Sequence, residues 1–160
     1  MEERKAIPLK ALIVAFLVAG TSDIAVALIQ YTISTGNNPI RVLIFIASGV
    51  FGRGAYEGSA PGMAALGLIF HYCIAFIWTF IFYKLYPLIA LMRKNRSLTG
   101  LSYGLIVWLG MNLIVVPLSN TPELPFSLTR ALTGILILMV AIGTPLSFII
   151  GKYYSESEIQ

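Results

Sequence analysis

The hydrophobic pattern of this chain consists of four long apolar blocks set apart by runs of turn residues. The blocks cover residues 8–34, 63–86, 98–119 and 128–153. Each approaches or exceeds the roughly 20 residues that a helix needs to cross a bilayer. The separators are Thr35-Gly36-Asn37-Asn38-Pro39, Gly58-Ser59-Ala60-Pro61-Gly62, Pro87, and Asn120-Thr121-Pro122-Glu123-Leu124-Pro125, all rich in chain-punctuating residues. Spanning segments must be helices, because an open strand leaves its backbone unsatisfied in lipid. The pattern therefore predicts one all-α integral membrane domain over 1–160, built as a four-transmembrane-helix bundle. The connection between the first two blocks is apolar in its middle, residues 40–51. That stretch is too short to span. It is expected to form an interfacial or re-entrant helix on the outer side, begun by Pro39 and ended by Gly52.

Composition sharpens the class. Of the 160 residues, 58% are hydrophobic and 11% charged, against about 25% charged in a soluble domain. So few charges cannot cover a water-soluble surface, which makes the lipid bilayer the expected partner. The net charge of +4 would ordinarily raise nucleic acid or acidic lipid, but here it follows topology. Arg4, Lys5, Lys10, Lys84, Arg93, Lys94, Arg96 and Lys152 fall on one side, and Arg41, Arg53 and Arg130 on the other. The positive-inside bias puts both termini in the cytoplasm, and nucleic acid is not expected as a partner. Tyr83, Tyr86, Tyr153 and Tyr154 then join an inner aromatic belt, with Tyr31 and Tyr56 near the outer one. Arg4, Lys5 and Lys10 ahead of Ala11 resemble the start of a signal peptide. The apolar run continues past Asp23, however, and no clean small-x-small cleavage site follows, so the segment reads as a retained helix.

Three strongly polar residues interrupt the apolar blocks: Asp23 in the first, His71 in the second and Asn112 in the third. Polar groups at such depth are expensive and are either paired or functional. At 1.5 Å per residue, Asp23 lies roughly 22 Å from the inner end of its helix and Asn112 roughly 21 Å. His71, entering from the outside, lies about 18 Å from the inside in a core about 30 Å thick. The three are thus expected in one layer in the outer half. Small residues flank them at helical spacing: Ala19 and Ala27 by Asp23, Gly67 and Ala75 by His71, Gly104 by Asn112. Such faces pack against other helices rather than lipid. Gln30 shares the Asp23 face and completes the ligand- or proton-binding candidates. Thr133, Trp108, Arg41 and Arg53 are the supporting candidates. Two readings of the layer stay open. One is an interhelical hydrogen-bonded clasp. The other is a polar pocket open to the outside, in which Asp23 and His71 titrate as a unit.

Other chemistry is not expected. The single cysteine, Cys73, excludes an intrachain disulfide and any multi-cysteine metal site, and reads as a small buried apolar residue. One histidine and one aspartate are too few for zinc, and His71 with Met111 lacks the second histidine a haem reading would want. No metal, cofactor or catalytic motif is assigned, and the chain is not expected to be an enzyme. Gly49-Val50-Phe51-Gly52-Arg53-Gly54 lacks both the preceding strand and the following Gly-Lys-Ser/Thr of a phosphate loop. Thr144-Pro145 reads as a tolerated kink or a hinge. Ser119-Asn120-Thr121 reads as turn chemistry, and Arg93-Lys94-Asn95-Arg96 as an inner anchor for anionic lipid. Gly20-Thr21-Ser22-Asp23 and Gly110-Met111-Asn112 both place a polar residue late in an outward-running helix, a faint echo that fits a parallel two-plus-two repeat.

Gly67-Leu68-Ile69-Phe70-His71, Leu85-Tyr86-Pro87, Leu98-Thr99-Gly100-Leu101-Ser102-Tyr103-Gly104 and Pro117-Leu118-Ser119-Asn120-Thr121-Pro122 together resemble the YagU-like proteins, small bacterial inner-membrane proteins of unknown function. The resemblance covers about a third of the chain and leaves out the first loop. It implies a multi-pass protein of the bacterial cytoplasmic membrane and brings no activity, cofactor or catalytic residue. Two functions are carried forward. One is a transporter-like or sensory protein whose outer pocket binds a proton or small polar solute, which would call for a homo-oligomer because four helices alone rarely enclose a transport path. The alternative is a structural or assembly subunit of a larger membrane complex.

Overall fold

The structure, a computed structural model, describes residues 8–159 with the exception of Leu124. Arg4 and Lys5, counted above toward orientation, lie outside the described residues. The chain folds into helices throughout, with no strand among the described residues. In order they are α1 (Leu9–Thr35), α2 (Ile40–Phe51), α3 (Ala60–Leu85), α4 (Ala90–Lys94), α5 (Arg96–Leu118) and α6, which spans Leu128–Ser155 and runs on to Ile159. Four of them, α1, α3, α5 and α6, are long and apolar enough to cross a membrane.

Local chemistry sets the boundaries. Gly36 ends α1 at φ 68°, with its N–H bonded to Thr32 O, a left-handed cap that glycine accepts without strain. Pro39 and Gly52 flank α2 as the pattern predicted, Gly52 again at positive φ. Pro61 does not separate elements. It sits in the first turn of α3, where a missing N–H removes no helical bond. The short helix α4 had no counterpart in the apolar pattern. Asn95 then opens α5 by accepting the Leu98 N–H at 3.0 Å.

Small residues set the approach of the helices. Ala11, Ala15 and Ala19 on α1 are completely or almost completely buried. Gly100 and Gly104 on α5 lie so close to Gly143 and Met139 on α6 that an added Cβ would run into the facing backbone. Phe82, Tyr86, Tyr103, Leu146 and Ile150 fill the space between the helices at the end that carries both termini. Polar ties close this end. Arg96 donates from Nη2 to Gly151 O (3.0 Å) and Ser155 Oγ (2.7 Å), and Ser147 Oγ donates to Arg96 O at 2.7 Å. Arg96 is therefore a bracket between α5 and α6, and Arg93 donates to Tyr154 at 2.8 Å.

At the opposite end α2 lies against α3. Gly67 admits the Leu43 carbonyl at a separation no side chain would allow. The far end of α2 is tied to the α5–α6 connection, where the Asn120 N–H donates to Gly49 O (2.9 Å) and its Nδ2 to Val50 O (3.0 Å). Ser119 and Thr121 join their hydroxyls at 2.6 Å in the same turn, so the turn also anchors α2. Cys73 corrects its expectation. It is exposed on the outer side of the bundle, among Phe16, Leu68 and Phe76, because the buried stripe of α3 runs through Gly67, His71, Ala75 and Thr79 instead.

Candidate functional site

The four-residue stripes that pack the helices also deliver the polar residues. On α1 the stripe Ala11, Ala15, Ala19 continues to Asp23 and Ala27. On α3 Gly67 leads to His71 and Ala75. On α5 Gly100 and Gly104 lead to Trp108 and Asn112. A residue four positions along lies on the same face, so each stripe aims its polar member inward. The helices do not close there. α3 meets α5 through long side chains: Tyr103 Oη donates to Trp78 O (2.6 Å), and Trp78 Nε1 donates to Met111 Sδ (3.3 Å).

Beyond these contacts a cavity of about 420 Å³ opens toward α2. Asp23, Ala27 and Gln30 line it from α1, Phe45 and Ile46 from α2, and His71, Ala75 and Trp78 from α3. Trp108, Met111 and Asn112 line it from α5, and Arg130, Thr133, Gly134 and Ile137 from α6. Asp23, Gln30, His71, Trp108, Asn112 and Thr133, all named from the sequence, thus share one cavity. Arg41 and Arg53 do not line it. Arg130, Trp78 and the two α2 residues were not named as site residues. Their signals were present, since Arg130 stands one helical turn before Thr133 and Trp78 one step beyond Ala75 on the His71 face.

The polar groups bond to backbone rather than to one another. His71 Nε2 lies 2.9 Å from Gly20 O, across the α1–α3 interface. A carbonyl only accepts, so Nε2 carries the proton, and in the neutral ring Nδ1 is an acceptor. Asn112 Nδ2 donates to Trp108 O on its own helix at 2.9 Å. The same reasoning fixes the amide orientation and leaves Oδ1 as the free end. Asp23 shares the cavity wall with His71, yet its carboxylate makes no hydrogen bond among the described residues. No buried side-chain nitrogen or oxygen among the described residues is sealed without a partner, so the Asp23 oxygens open to the cavity. The interlocked clasp of Asp23, His71 and Asn112 is therefore not formed. What ties α1 to α3 here is the His71 bond to Gly20 O, with Thr21 Oγ1 and Tyr72 Oη 2.9 Å apart beside it.

Two π-helical turns shape the wall. Met111–Val115 interrupts α5 and Met139–Gly143 interrupts α6. Each ends immediately before an X-Pro pair, Val116-Pro117 and Thr144-Pro145. Proline lacks the N–H that an α-helix needs and crowds the carbonyl four residues back, and an inserted residue relieves that crowding. The Ala141 carbonyl, which loses the Pro145 donor, takes a hydrogen bond from Ser22 Oγ on α1 at 2.6 Å. The echo between Gly20-Thr21-Ser22-Asp23 and Gly110-Met111-Asn112 does not extend to the backbone, since the first is regular α-helix and the second enters a π-turn.

No protein-family model, curated protein or solved structure matched this chain.

Proposed function

We propose that this multi-pass membrane protein binds a small polar solute or a proton in the cavity between its spanning helices, in a transporter-like or sensory role. We place it in the bacterial cytoplasmic membrane with both termini in the cytoplasm, so that the α2 end faces outward. The observation that carries the proposal is the contrast between the two ends. The terminal end is filled by aromatic and aliphatic side chains, while the α2 end keeps a cavity of about 420 Å³ into which Asp23 projects unbonded. That volume falls within the roughly 300–1,000 Å³ of small-molecule sites. Unpaired polar groups at membrane depth are costly enough to be kept for a purpose. The YagU-like resemblance, carried in part by His71, is likewise put forward as a family proposal, and a second copy of the chain as the partner that completes a path.

Accessibility tests the reading. Thr133→Cys, in a chain whose native thiol is removed by Cys73→Ser, should react with a small water-soluble thiol reagent in intact cells. Ala27→Trp, which fills the cavity, should suppress that reaction. A thiol at 133 that is inert to reagent from both sides of the membrane means a dry interior and refutes the pocket.

A further inference from the structure

Resting on that reading, we infer that the cavity takes a small organic cation, a protonated amine carried on an apolar body. Asp23 offers a carboxylate with no hydrogen bond among the described residues, and a carboxylate only accepts. In the neutral ring His71 has its proton engaged by Gly20 O at 2.9 Å, which leaves Nδ1 as an acceptor. Asn112 has Nδ2 engaged by Trp108 O at 2.9 Å, so Oδ1 is again an acceptor. Three helices thus present acceptors to one space, one of them with a formal negative charge, beside the neutral donors of Gln30, Trp108 and Thr133.

The rest of the wall favours the same class. Trp78 and Trp108 both line the cavity, and indole faces attract cations, most strongly where water is excluded. The formal cation on the wall, Arg130, is exposed, and its Nη2 is engaged by Pro125 O at 2.9 Å. An anion would meet Arg130 only at the exposed rim, and beside His71 and Asn112 it would meet the half-buried Asp23 carboxylate. A neutral solute would leave the carboxylate unanswered in a largely apolar space. A metal ion would need several ligands, and no group of three histidine, cysteine, aspartate or glutamate side chains comes together among the described residues. An ammonium group supplies N–H donors and positive charge together, and its hydrocarbon part occupies the apolar walls.

The test is a charge series on the full chain in nonionic detergent. Phenethylamine, 2-phenylethanol and 3-phenylpropionate share one apolar body and differ in charge. The chain has two tryptophans and both line the cavity, so tryptophan emission reports binding. Saturable quenching by the amine is expected, about tenfold or more tighter than by the alcohol, with the acid weaker still. Asp23→Asn should erase the difference between amine and alcohol, and Asn112→Leu should weaken the amine alone. Equal binding of amine and alcohol, or an amine preference that survives Asp23→Asn, overturns the cation assignment. So does a failure of all three probes to saturate. The charge series on the unaltered chain decides the matter even if Asp23→Asn does not fold. Thiol labelling at position 133 separates the two proposals: a reactive thiol without amine preference removes only the cation, and an inert one removes the pocket as well.

Discussion

His71 and Asp23 sit on neighbouring helices with different structural duties. His71 ties α3 to α1 through Gly20 O at 2.9 Å, whereas Asp23 ties nothing. Removing the imidazole should therefore cost stability, and neutralising the carboxylate should not. His71→Ala is expected to lower stability in detergent by about 1 kcal/mol, the scale of interhelical hydrogen bonds in membrane proteins, and Asp23→Asn to leave the unfolding midpoint nearly unchanged. A large loss in Asp23→Asn would show that the carboxylate is structural after all. Ser22 is the less visible counterpart. Its hydroxyl serves the Ala141 carbonyl left open by Pro145, so Ser22→Ala should cost about 1 kcal/mol in the same thermal assay. At this scale the sequence was informative about depth and face, because helical rise and the four-residue repeat are properties of any helix. It could not tell a clasp from a pocket. That depends on which atom each polar group bonds, and His71 and Asn112 both chose backbone carbonyls.

Among the elements, the contact of α5 with α6 is governed by glycine. Gly100, Gly104 and Gly143 bring the two backbones together, and a side chain at any of them must push the helices apart. Gly143→Val should destabilise the protein by at least about 1–3 kcal/mol, the cost of overpacking, seen as a lower unfolding midpoint. An exposed apolar position such as Leu136 should tolerate the same change. The α2 helix is held differently, by Gly67 on one side and Asn120 on the other. Asn120→Ala removes the side-chain bond to Val50 O, and faster amide hydrogen exchange in 45–51 is expected while α5 stays protected. The spans and α2 were legible from the apolar pattern, and so was Pro39 to Gly52 as the bounds of α2. The π-turns were not, although Val116-Pro117 and Thr144-Pro145 were in plain view. Whether a proline kinks a helix, breaks it or inserts a residue depends on what donates to the freed carbonyl, as Ser22 does for Ala141.

For the whole molecule the asymmetry between its ends is the governing feature. Phe82 and Leu146 are completely buried at the terminal end, and truncating either to alanine should cost about 2–5 kcal/mol. Enlarging the cavity wall by Ala27→Phe should cost little, because the new ring enters open space. Comparing the two unfolding midpoints measures this asymmetry in the detergent-extracted protein. Equal destabilisation by the two changes would mean that the α2 end is as filled as the other. The same asymmetry explains Cys73. A cysteine in the middle of an apolar helix reads as buried only if the helix is surrounded, and α3 has neighbours on one side alone.

The chain by itself determined that it is a helical membrane protein with four spans and a short fifth apolar helix. These follow from hydrophobic length, turn residues and the need to satisfy backbone in lipid. It also put Asp23, His71 and Asn112 on helix faces that line one cavity, which needs only helical geometry. The tertiary structure alone decided that the space between them is open, that Arg130, Trp78 and α2 help to enclose it, and that Arg41 and Arg53 stand apart. The physical reason is that a cavity is a property of how helices diverge. That divergence is set by the contrast between glycine and alanine stripes, where backbones touch, and the large side chains of Trp78, Tyr103 and Met111, which hold α3 and α5 apart.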